Sequence, residues 1–226
     1  STSTNNAGEN KPVAAEVGLG SRVAAITSTF TQGNLTHVEN PFSVALEGDG
    51  FFQIRTESGE LQYTRDGSFE ISPVANGNML CTSDGNPVLD AYGNQIILPS
   101  NRVATDLVVN QDGTLAFPDG TGNPAVITDA NGRPVKFGIY QFNNPAGLSK
   151  EGSNNYSVTV ASGAAVAENG NAAVKQTKTH QYYTEASNVD VANEMVNLIV
   201  AQRAYEMNSK AIQASDEMMQ QANALR

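Results

Sequence analysis

The chain has 226 residues, with 13 basic and 23 acidic side chains, a formal net charge of −10 at pH 7 and a sequence pI near 4.6. This negative charge repels phosphate backbones and anionic lipid headgroups, so the composition argues against nucleic-acid partners and membrane-surface binding. No apolar run approaches the roughly 20 residues that cross a bilayer, so we expect no membrane insertion.

The first part of the chain has no apolar periodicity. Residues 1–16 are rich in Ser, Thr, Asn and Ala, which predicts a flexible lead-in rather than a folded element. They also lack the basic stretch followed by an apolar stretch that marks a cleavable secretory signal. We therefore divide the chain into a lead-in at residues 1–16, a β-rich domain at residues 17–184 and a C-terminal helical segment at residues 185–226.

Short alternating apolar runs dominate the middle of the chain. Eight Asp-Gly or Asn-Gly pairs separate these runs, and such pairs favour two-residue hairpins because Gly adopts positive φ without steric cost. Period-two alternation with one buried face is typical of antiparallel strands. We predict a mainly β fold, an irregular antiparallel barrel or sandwich-like domain without long helices. The expected core positions include Phe42, Val44, Leu46, Phe52, Ile54, Leu107, Val109, Ile139 and Phe142.

Two glycine-containing motifs in this region, Gly48–Phe52 and Tyr63–Phe69, carry aromatic residues between alternating runs and show no convergent polar set. We expect both motifs to be architectural, with the aromatics in the core and the glycines shaping turns. The predicted structural turns with positive φ are at Gly50, Gly67, Gly85 and Gly113.

Cys81 is the only cysteine, which excludes an intrachain disulfide and a multi-cysteine metal site. Its apolar neighbours Met79, Leu80 and Val88 predict a buried thiol. The two histidines, His37 and His180, lie in no recognisable catalytic motif. We therefore expect no enzymatic activity, no cofactor and no catalytic or metal-binding residues.

The last segment has the composition of a long helix. From Ser187 to Leu225 there is no Gly or Pro, and Ala, Met, Gln, Glu and Leu are frequent. Ser187 is the predicted helix cap, and Asp190 in the first turn complements the positive end of the helix dipole. A helix of about 38 residues from Asn188 to Leu225 is about 57 Å long, which exceeds what one domain needs for cover.

Heptad spacing gives this helix an apolar stripe, which we call the first seam. Large residues recur every seven positions and smaller or polar residues recur three further on, which is typical of pairing with another helix in a coiled coil. An amphipathic helix lying on its own β domain is the alternative, and the length favours a partner. The predicted assembly interface consists of Val191, Met195, Leu198, Ala201, Tyr205, Asn208, Ile212, Ser215, Met219 and Ala222.

The segment Glu185–Gln213 resembles the C-terminal signature of flagellar rod and hook proteins, and Asp216–Met219 match the end of the same helix. The likeness is strongest to the distal rod members of that family, whereas proximal rod and short hook members share the same end motifs and stay open as alternatives. Motifs similar to the family's β domain occur in family order at Phe30–Leu35, Asn40–Pro41, Gly48–Phe52, Tyr63–Phe69, Phe142, Asn144–Pro145 and Gly147–Leu148.

The resemblance implies a structural subunit of the flagellar basal-body rod, exported through the flagellar type III secretion channel. Its implied partners are other copies of itself and other rod and hook subunits, which together form a helical tube that transmits torque to the hook for motility. Family members begin with an Asn-rich helix that pairs with the C-terminal helix. The resemblance here starts at Val17, so we expect the β domain and the C-terminal helix without that N-terminal helix.

The same residues are compatible with two other classes of protein. A secreted β-rich module could use its Asp-Gly turns to bind calcium or carbohydrate, although no stretch has the oxygen spacing of an EF-hand loop or of a Gly-Asp repeat. A hydrolase could pair Asp66 with Glu70 or Asp84 with Asp90, although solvated turn residues explain these acids better.

Overall fold

The computed structural model describes residues 2–4, 10–12, 28–119 and 124–224, with side chains for 28–119 and 124–221. Two short 3-10 helices lie at Ala104–Asp106 and Pro145–Gly147, and one α-helix, α1, spans Val191–Ala224. The strands are β1 (Thr2–Thr4), β2 (Asn10–Pro12), β3 (Leu35–His37), β4 (Val44–Glu47), β5 (Phe51–Arg55), β6 (Leu61–Thr64), β7 (Glu70–Val74), β8 (Gly77–Cys81), β9 (Ile97–Pro99), β10 (Val108–Val109), β11 (Leu115–Pro118), β12 (Pro124–Val126), β13 (Ile139–Gln141), β14 (Ser149–Gly152), β15 (Asn155–Ser157), β16 (Val166–Ala167), β17 (Lys178–Gln181) and β18 (Tyr183–Glu185).

The strands form antiparallel sheets. The largest sheet has six strands in the order β14-β15-β6-β5-β13-β16, and two three-stranded sheets are β7-β8-β9 and β10-β11-β12. Three strand pairs complete the topology: β17 with β4, β18 with β3, and β1 with β2. The described sheets are open rather than closed into a barrel. The predicted mainly β fold with one long C-terminal helix is confirmed, and the predicted lead-in lies outside the described residues except for β1 and β2.

Strand β5 carries the centres of two cores on its two faces. Phe51 and Phe52 are consecutive and therefore point to opposite sides of the sheet. The Phe52 ring is fully buried and lies 4.9 Å from Phe69 and 5.2 Å from Phe137, measured between ring centroids. On the other face, Phe51 lies 5.5 Å from Phe142. All the core positions predicted from the alternation are buried, and Phe142 belongs to the second, smaller core.

Five tight turns in this domain share one hydrogen-bond pattern. The backbone carbonyl of the first residue accepts a hydrogen bond from the N–H of a glycine three positions later. The backbone N–H of the same first residue donates to the carbonyl of the residue four positions later. This is a three-residue loop, a type I turn followed by a glycine with positive φ. The predicted two-residue hairpins are therefore wrong at the three of these turns that contain an Asp-Gly or Asn-Gly pair, which end at Gly85, Gly113 and Gly132. Positive φ is confirmed for Gly85 at 83° and for Gly113 at 84°. The five turns start at Thr56, Thr82, Asp90, Asn110 and Asp129.

Positive φ is wrong for the other two predicted glycines, Gly50 and Gly67. These positions require glycine because another part of the chain approaches closely. A Cβ atom added at Gly67 would lie 1.8 Å from the carbonyl oxygen of Val44, and one added at Gly50 would lie 2.5 Å from Cγ2 of Ile139. Neither neighbour is close in sequence, so the constraint comes from tertiary packing.

Cys81 ends strand β8 and is buried, as its apolar neighbours predicted. Burial, followed by the negative charge of Glu70, raises the pKa of the Cys81 thiol. Because the thiolate is the reactive form, a raised pKa makes this thiol a weak nucleophile near neutral pH. Its position indicates a packing role.

Replacing Phe52 by Ala is expected to lower the free energy of unfolding by about 3–5 kcal/mol, out of a total of about 5–15 kcal/mol, because the change leaves a cavity between two aromatic rings. Urea denaturation measures this loss. Leu61→Ala, at a half-exposed position of the adjacent strand, is the control and should cost far less. A Phe52→Ala chain that stays fully stable and fails only to assemble would make Phe52 an interface residue instead.

Replacing Gly67 by Ala is expected to lower the free energy of unfolding by about 3 kcal/mol or more, since the new methyl group collides with the carbonyl oxygen of Val44. Val44 cannot easily move away, because its own N–H donates a hydrogen bond to the Gly67 carbonyl. Gly59→Ala is the matched control: its φ is 87° and nothing lies within 4 Å of the added carbon, so only backbone strain of about 1 kcal/mol is expected. Thermal unfolding of the two variants compares them, and equal losses would contradict the close-approach explanation.

Candidate assembly interface

The root of helix α1 is joined to the β domain by a second, earlier segment of the chain. Strand β18, just before the helix, pairs with β3, and Leu35 is the partner of Glu185. The pairing extends by one bond, because the Ala186 N–H donates to the Asn34 carbonyl at 2.9 Å. Gly33 permits this approach: a Cβ atom there would lie 1.8 Å from the Ala186 carbonyl oxygen. The segment at 33–37 and the helix root therefore run side by side.

A nearly buried ion pair fastens this junction. Arg65 and Glu185 have side chains only 13% exposed, and Arg65 Nε donates to Glu185 Oε2 at 3.0 Å. Arg65 Nη2 approaches the same oxygen to 2.9 Å as an ion-pair contact without hydrogen-bond geometry. Arg65 Nη1 donates to the carbonyls of Gly48 and Gly50, and the Gly33 N–H donates to Glu185 Oε1. One side-chain pair thus links three separate parts of the sequence.

A second anchor lies three residues further along. The amide Nδ2 of Asn188 donates to the carbonyl of Thr31 at 3.0 Å and to its hydroxyl at 2.5 Å, with a longer contact of 3.3 Å to the Thr29 carbonyl. Asn188 is therefore bonded to the earlier segment and is not part of the helix. These hydrogen bonds fix the position at which the chain leaves the β domain and enters the helix.

Helix α1 begins later than predicted, and its cap is Asp190. The Oδ1 atom of Asp190 accepts the backbone N–H of Ala192 at 2.9 Å, and Oδ2 accepts the Asn193 side chain at 2.8 Å. Ser187, the predicted cap, accepts only the Val189 N–H at 3.2 Å, outside the helix. An Asx side chain at the cap satisfies a free amide of the first turn and places negative charge at the positive end of the dipole. The helix has 34 residues and is about 51 Å long.

The described side chains of α1 are almost all exposed to solvent. Along the first seam, Val191 is 63% exposed, Tyr205 is 77% exposed and Ile212 is 64% exposed. These values exclude the alternative in which the helix covers its own β domain. Met195, Leu198, Ala201, Asn208, Ser215 and Met219 are exposed as well, whereas the side chain of Ala222 lies outside the described residues. Helical spacing places the seam on one side of the helix, and its role in assembly stays a prediction.

An open cleft of about 470 Å³ lies at the helix root and is lined by residues that include Phe30, Arg65, Asp66, Tyr156 and Asn188. Its charged groups already have partners, since Arg65 pairs with Glu185 and Asp66 accepts hydrogen bonds from Ser68 and Asn154. Among the residues that the structure describes, no three acidic, His or Cys side chains are grouped to hold a metal. The cleft is therefore part of the junction and offers no ligand set.

The other titratable groups with unusual surroundings are also satisfied within the fold. Buried Glu168 accepts bonds from the N–H and hydroxyl of Thr177 and from Gln141 Nε2. On the surface, a hydrogen bond from His180 lowers the pKa of the Glu47 carboxyl. Burial raises the pKa of the Tyr63 hydroxyl, which receives a bond from Gln53. These contacts stabilise strands and turns.

Sequence reasoning missed the junction residues Arg65, Glu185 and Asn188 as a set. Arg65 and Glu185 were noticed only within family-like motifs, and they lie 120 positions apart. A single Arg beside an Asp-Gly turn gives no sign of its partner. The one usable signal was the motif Tyr63–Phe69 itself, in which a charged residue occurs inside an otherwise core-forming stretch.

Comparison with known proteins gives the family. A family model described as Flagellar basal body rod FlgEFG protein C-terminal matches residues 180–225, and one described as Flagellar hook protein FlgE/F/G D1 domain matches residues 45–117. Together these models cover the helix with its root and a large part of the β domain. No helix in the described part of the chain is both long and apolar enough to span a membrane.

Individual relatives agree with these models. The flagellar basal-body rod protein FlgG of Borreliella burgdorferi is 38% identical over 220 residues, which is 96% of this chain and 76% of that protein. FlgG of Agrobacterium fabrum is 38% identical over 211 residues, 92% of this chain and 73% of that protein. The flagellar hook-basal body complex protein FlhP of Bacillus subtilis is 34% identical over 199 residues, 86% of this chain and 69% of that protein.

The chain belongs to the family of flagellar basal-body rod and hook proteins. Within that family its similarity to FlgG proteins makes it a structural subunit of the distal rod, located in the flagellar basal body. The resemblance seen in the sequence is thereby confirmed, and the distal rod is favoured over the proximal rod and short hook alternatives. The two other classes considered from the sequence, a calcium- or carbohydrate-binding module and a hydrolase, are not the family that these comparisons match.

Replacing Glu185 by Gln is expected to destabilise the protein by about 3 kcal/mol, because it leaves the Arg65 charge largely buried without its counter-ion. Hydrogen exchange should then speed up at the amides of Gly33 and Ala186, which mark the helix root. Glu57→Gln, at an exposed turn position, is the control and should change neither quantity. Unchanged exchange at Gly33 and Ala186 would show that the ion pair does not hold the junction.

Proposed function

We propose that this subunit builds the rod by packing α1 against helices of neighbouring rod and hook subunits, including other copies of itself. The observation that carries the proposal is a 34-residue helix whose first seam is exposed from Val191 to Met219. An exposed stripe of this length with large apolar side chains at every seventh position marks an interaction surface. The role is mechanical, since torque passes from copy to copy through packed helices and involves no chemical step.

The junction explains how torque applied to the helix reaches the β domain. Arg65 and Glu185 tie the helix root to the start of β5, and Asn188 ties it to residues 29–31. Load on α1 therefore enters the domain through hydrogen bonds and an ion pair rather than through a flexible linker. Identical subunits joined by contacts that do not close form a helical tube, and a tube whose subunits are fastened in this way can transmit rotation.

The polar residues of the first seam suit a partner of defined register. Asn208 and Ser215 occupy the positions at which small residues permit close approach. A polar group in a helix–helix seam lowers stability but discriminates between alternative alignments, because only one alignment satisfies it. We propose that this selects the alignment of the neighbouring helix. The proposed route to the assembly site is export through the flagellar secretion channel.

Replacing Ile212 by Glu is expected to reduce incorporation of the subunit into rods at least about tenfold and to abolish motility, since a buried unpaired charge in a helix seam costs several kcal/mol. The melting temperature of the β domain should not change, because Ile212 is 64% exposed in the subunit alone. Quantitative immunoblots of purified hook–basal bodies measure incorporation.

Gln213→Glu is the matched control for this experiment, because it adds the same charge at the next residue, on the side of the helix away from the first seam. It should assemble like the parent chain. If Ile212→Glu instead lowers the melting temperature of the β domain, then the helix belongs to that domain's own core and the assembly proposal fails.

A further inference from the structure

The strand that leads into α1 has two parts. Strands β17 and β18 follow each other directly, and Tyr182 alone separates them. Strand β17 pairs with β4, whereas β18 pairs with β3, so each part has its own partner strand. Tyr182 has a φ of 65°, a left-handed conformation that a bulky residue adopts only at a cost in free energy. The strand therefore changes partner at a strained residue.

Strand β17, which we call the inner anchor, is fastened within the main core. Thr179 is 1% exposed, and on the partner strand Val44 and Leu46 are at most 1% exposed. The Thr179 hydroxyl donates to the Asn110 carbonyl at 2.6 Å, and the Thr179 N–H donates to the Gln111 carbonyl at 3.0 Å. The inner anchor is thus paired with β4 on one edge and bonded to the turn after β10 on the other.

Gln181, the last residue of the inner anchor, joins three more backbone groups. Its Oε1 atom accepts the Val109 N–H at 3.0 Å, and Nε2 donates to the carbonyls of Leu107 and Pro41 at 2.7 Å each. Leu107 and Val109 belong to the main core. A buried N–H or carbonyl without a partner is unfavourable, so separating Gln181 from these groups has a high cost. The side chain therefore ties the strand to the start of the sheet β10-β11-β12.

Strand β18 with residues 186–188, which we call the outer anchor, lies at the surface. Two of the three residues of its partner strand β3 are exposed. Its fastening contacts, the pair of Arg65 with Glu185 and the bonds of the Asn188 amide, are polar. Water replaces such partners when they separate, whereas opening the inner anchor exposes apolar core side chains to water. The outer anchor therefore opens at a lower free energy than the inner anchor.

The surface that the outer anchor binds is held independently of it. Gln32 Nε2 donates to the Leu46 carbonyl at 2.7 Å, and Gln32 Oε1 accepts the Gly48 N–H at 2.9 Å. The Phe30 ring packs against Phe51, with 5.3 Å between the ring centroids. These contacts keep the segment before β3 on the domain after the outer anchor has separated, so the binding surface persists.

We propose that the root of α1 yields to load in two stages. Excess load separates the outer anchor as far as Tyr182, while the inner anchor keeps the helix attached to a folded β domain. When the load falls, the outer anchor binds again, because its partner segment has stayed in place. This inference rests on the proposed function, since α1 must carry load, and it adds a reversible step that protects the subunit from unfolding.

Native-state hydrogen exchange of the whole chain tests the order of opening. Gln181→Met removes three hydrogen bonds at similar side-chain size, and it is expected to speed exchange of the Thr179 N–H at least about tenfold. Exchange of the Ala186 N–H should change less than about twofold, because the inner anchor is equally formed before and after the outer anchor separates. Glu185→Gln should speed exchange at both amides, since it destabilises the native state relative to every opened state.

Single-molecule pulling between Val189→Cys and Glu57→Cys gives the mechanical readout. Both positions are exposed, whereas Cys81 is buried, so the handles attach at the new thiols. The parent chain should lengthen first by a short step that releases residues 183–188, and then by a long step that unfolds the domain. Gln181→Met should lower the force of the long step and leave the force of the short step unchanged.

A milder variant and a matched control complete the test. Thr179→Val removes one side-chain bond of the inner anchor, so it should speed exchange of the Val44 N–H at least about threefold and leave that of Ala186 unchanged. Gln176→Met is the control, because the Gln176 amide donates within its own loop, to two carbonyls of residues 168–171. It should change exchange at either amide by less than about twofold.

The inference is overturned if the two inner-anchor variants speed exchange at Ala186 as strongly as at Thr179 or Val44, or leave all three unchanged. It is also overturned if pulling shows a single step, or if Gln181→Met lowers the force of both steps alike. The strand would then open as one unit. None of these results changes the expected outcome of Ile212→Glu, so the two-stage root would be lost while the proposed function stands.

Discussion

The ion pair between Arg65 and Glu185 is the constraint on which the remaining geometry depends. It is nearly buried, and its two residues accept or donate bonds to Gly33, Gly48 and Gly50. Burying two charges is costly unless their remaining hydrogen-bonding groups are satisfied, and here backbone groups supply most of those bonds. The pair therefore forms only when three distant segments are already in place, which makes it a test of the correct fold rather than a source of stability by itself.

The consequence for the β domain is a sheet organised around strand β5. Gly50, just before that strand, is held by Arg65, and the next two residues begin the two cores on opposite faces. The Phe30 ring of the earlier segment lies 5.3 Å from Phe51, so the segment that anchors the helix root also packs into the smaller core. The helix root is thus continuous with the hydrophobic core, which is what a load-bearing joint requires.

Local features of this fold could be predicted from the sequence, and features that depend on distant contacts could not. Alternation identified the core strands, and Gly85 and Gly113 have positive φ because their turns are defined by neighbouring residues. The prediction of positive φ was wrong for Gly50 and Gly67. Glycine is required at these positions because Ile139 and Val44 approach the backbone closely, and the sequence does not show that these residues lie nearby.

The helix boundary shows the same limit. Ser187 and Asp190 are both acceptable caps by residue type, and tertiary bonds decided between them. Asn188, next to Ser187, is bonded to Thr31, which keeps this stretch outside the helix and moves the cap to Asp190. The seam was predicted because heptad spacing is local, whereas its partner stays a prediction because no intramolecular contact reports on it.

The root of helix α1 is fixed to the β domain, whereas the rest of the helix is exposed and needs a partner to stabilise it. An isolated helix gains little from propensity alone, and most helical stability in proteins comes from packing of an apolar face. Helix α1 has no such packing within the described subunit, yet its first turn is capped by Asp190 and its root is fixed by Asn188. The start and direction of the helix are therefore set before a partner arrives, while its length is left for neighbouring helices to stabilise. A subunit built in this way loses less orientational freedom on joining a tube than one with a free tail, so more of the energy of seam packing remains to hold the assembly together.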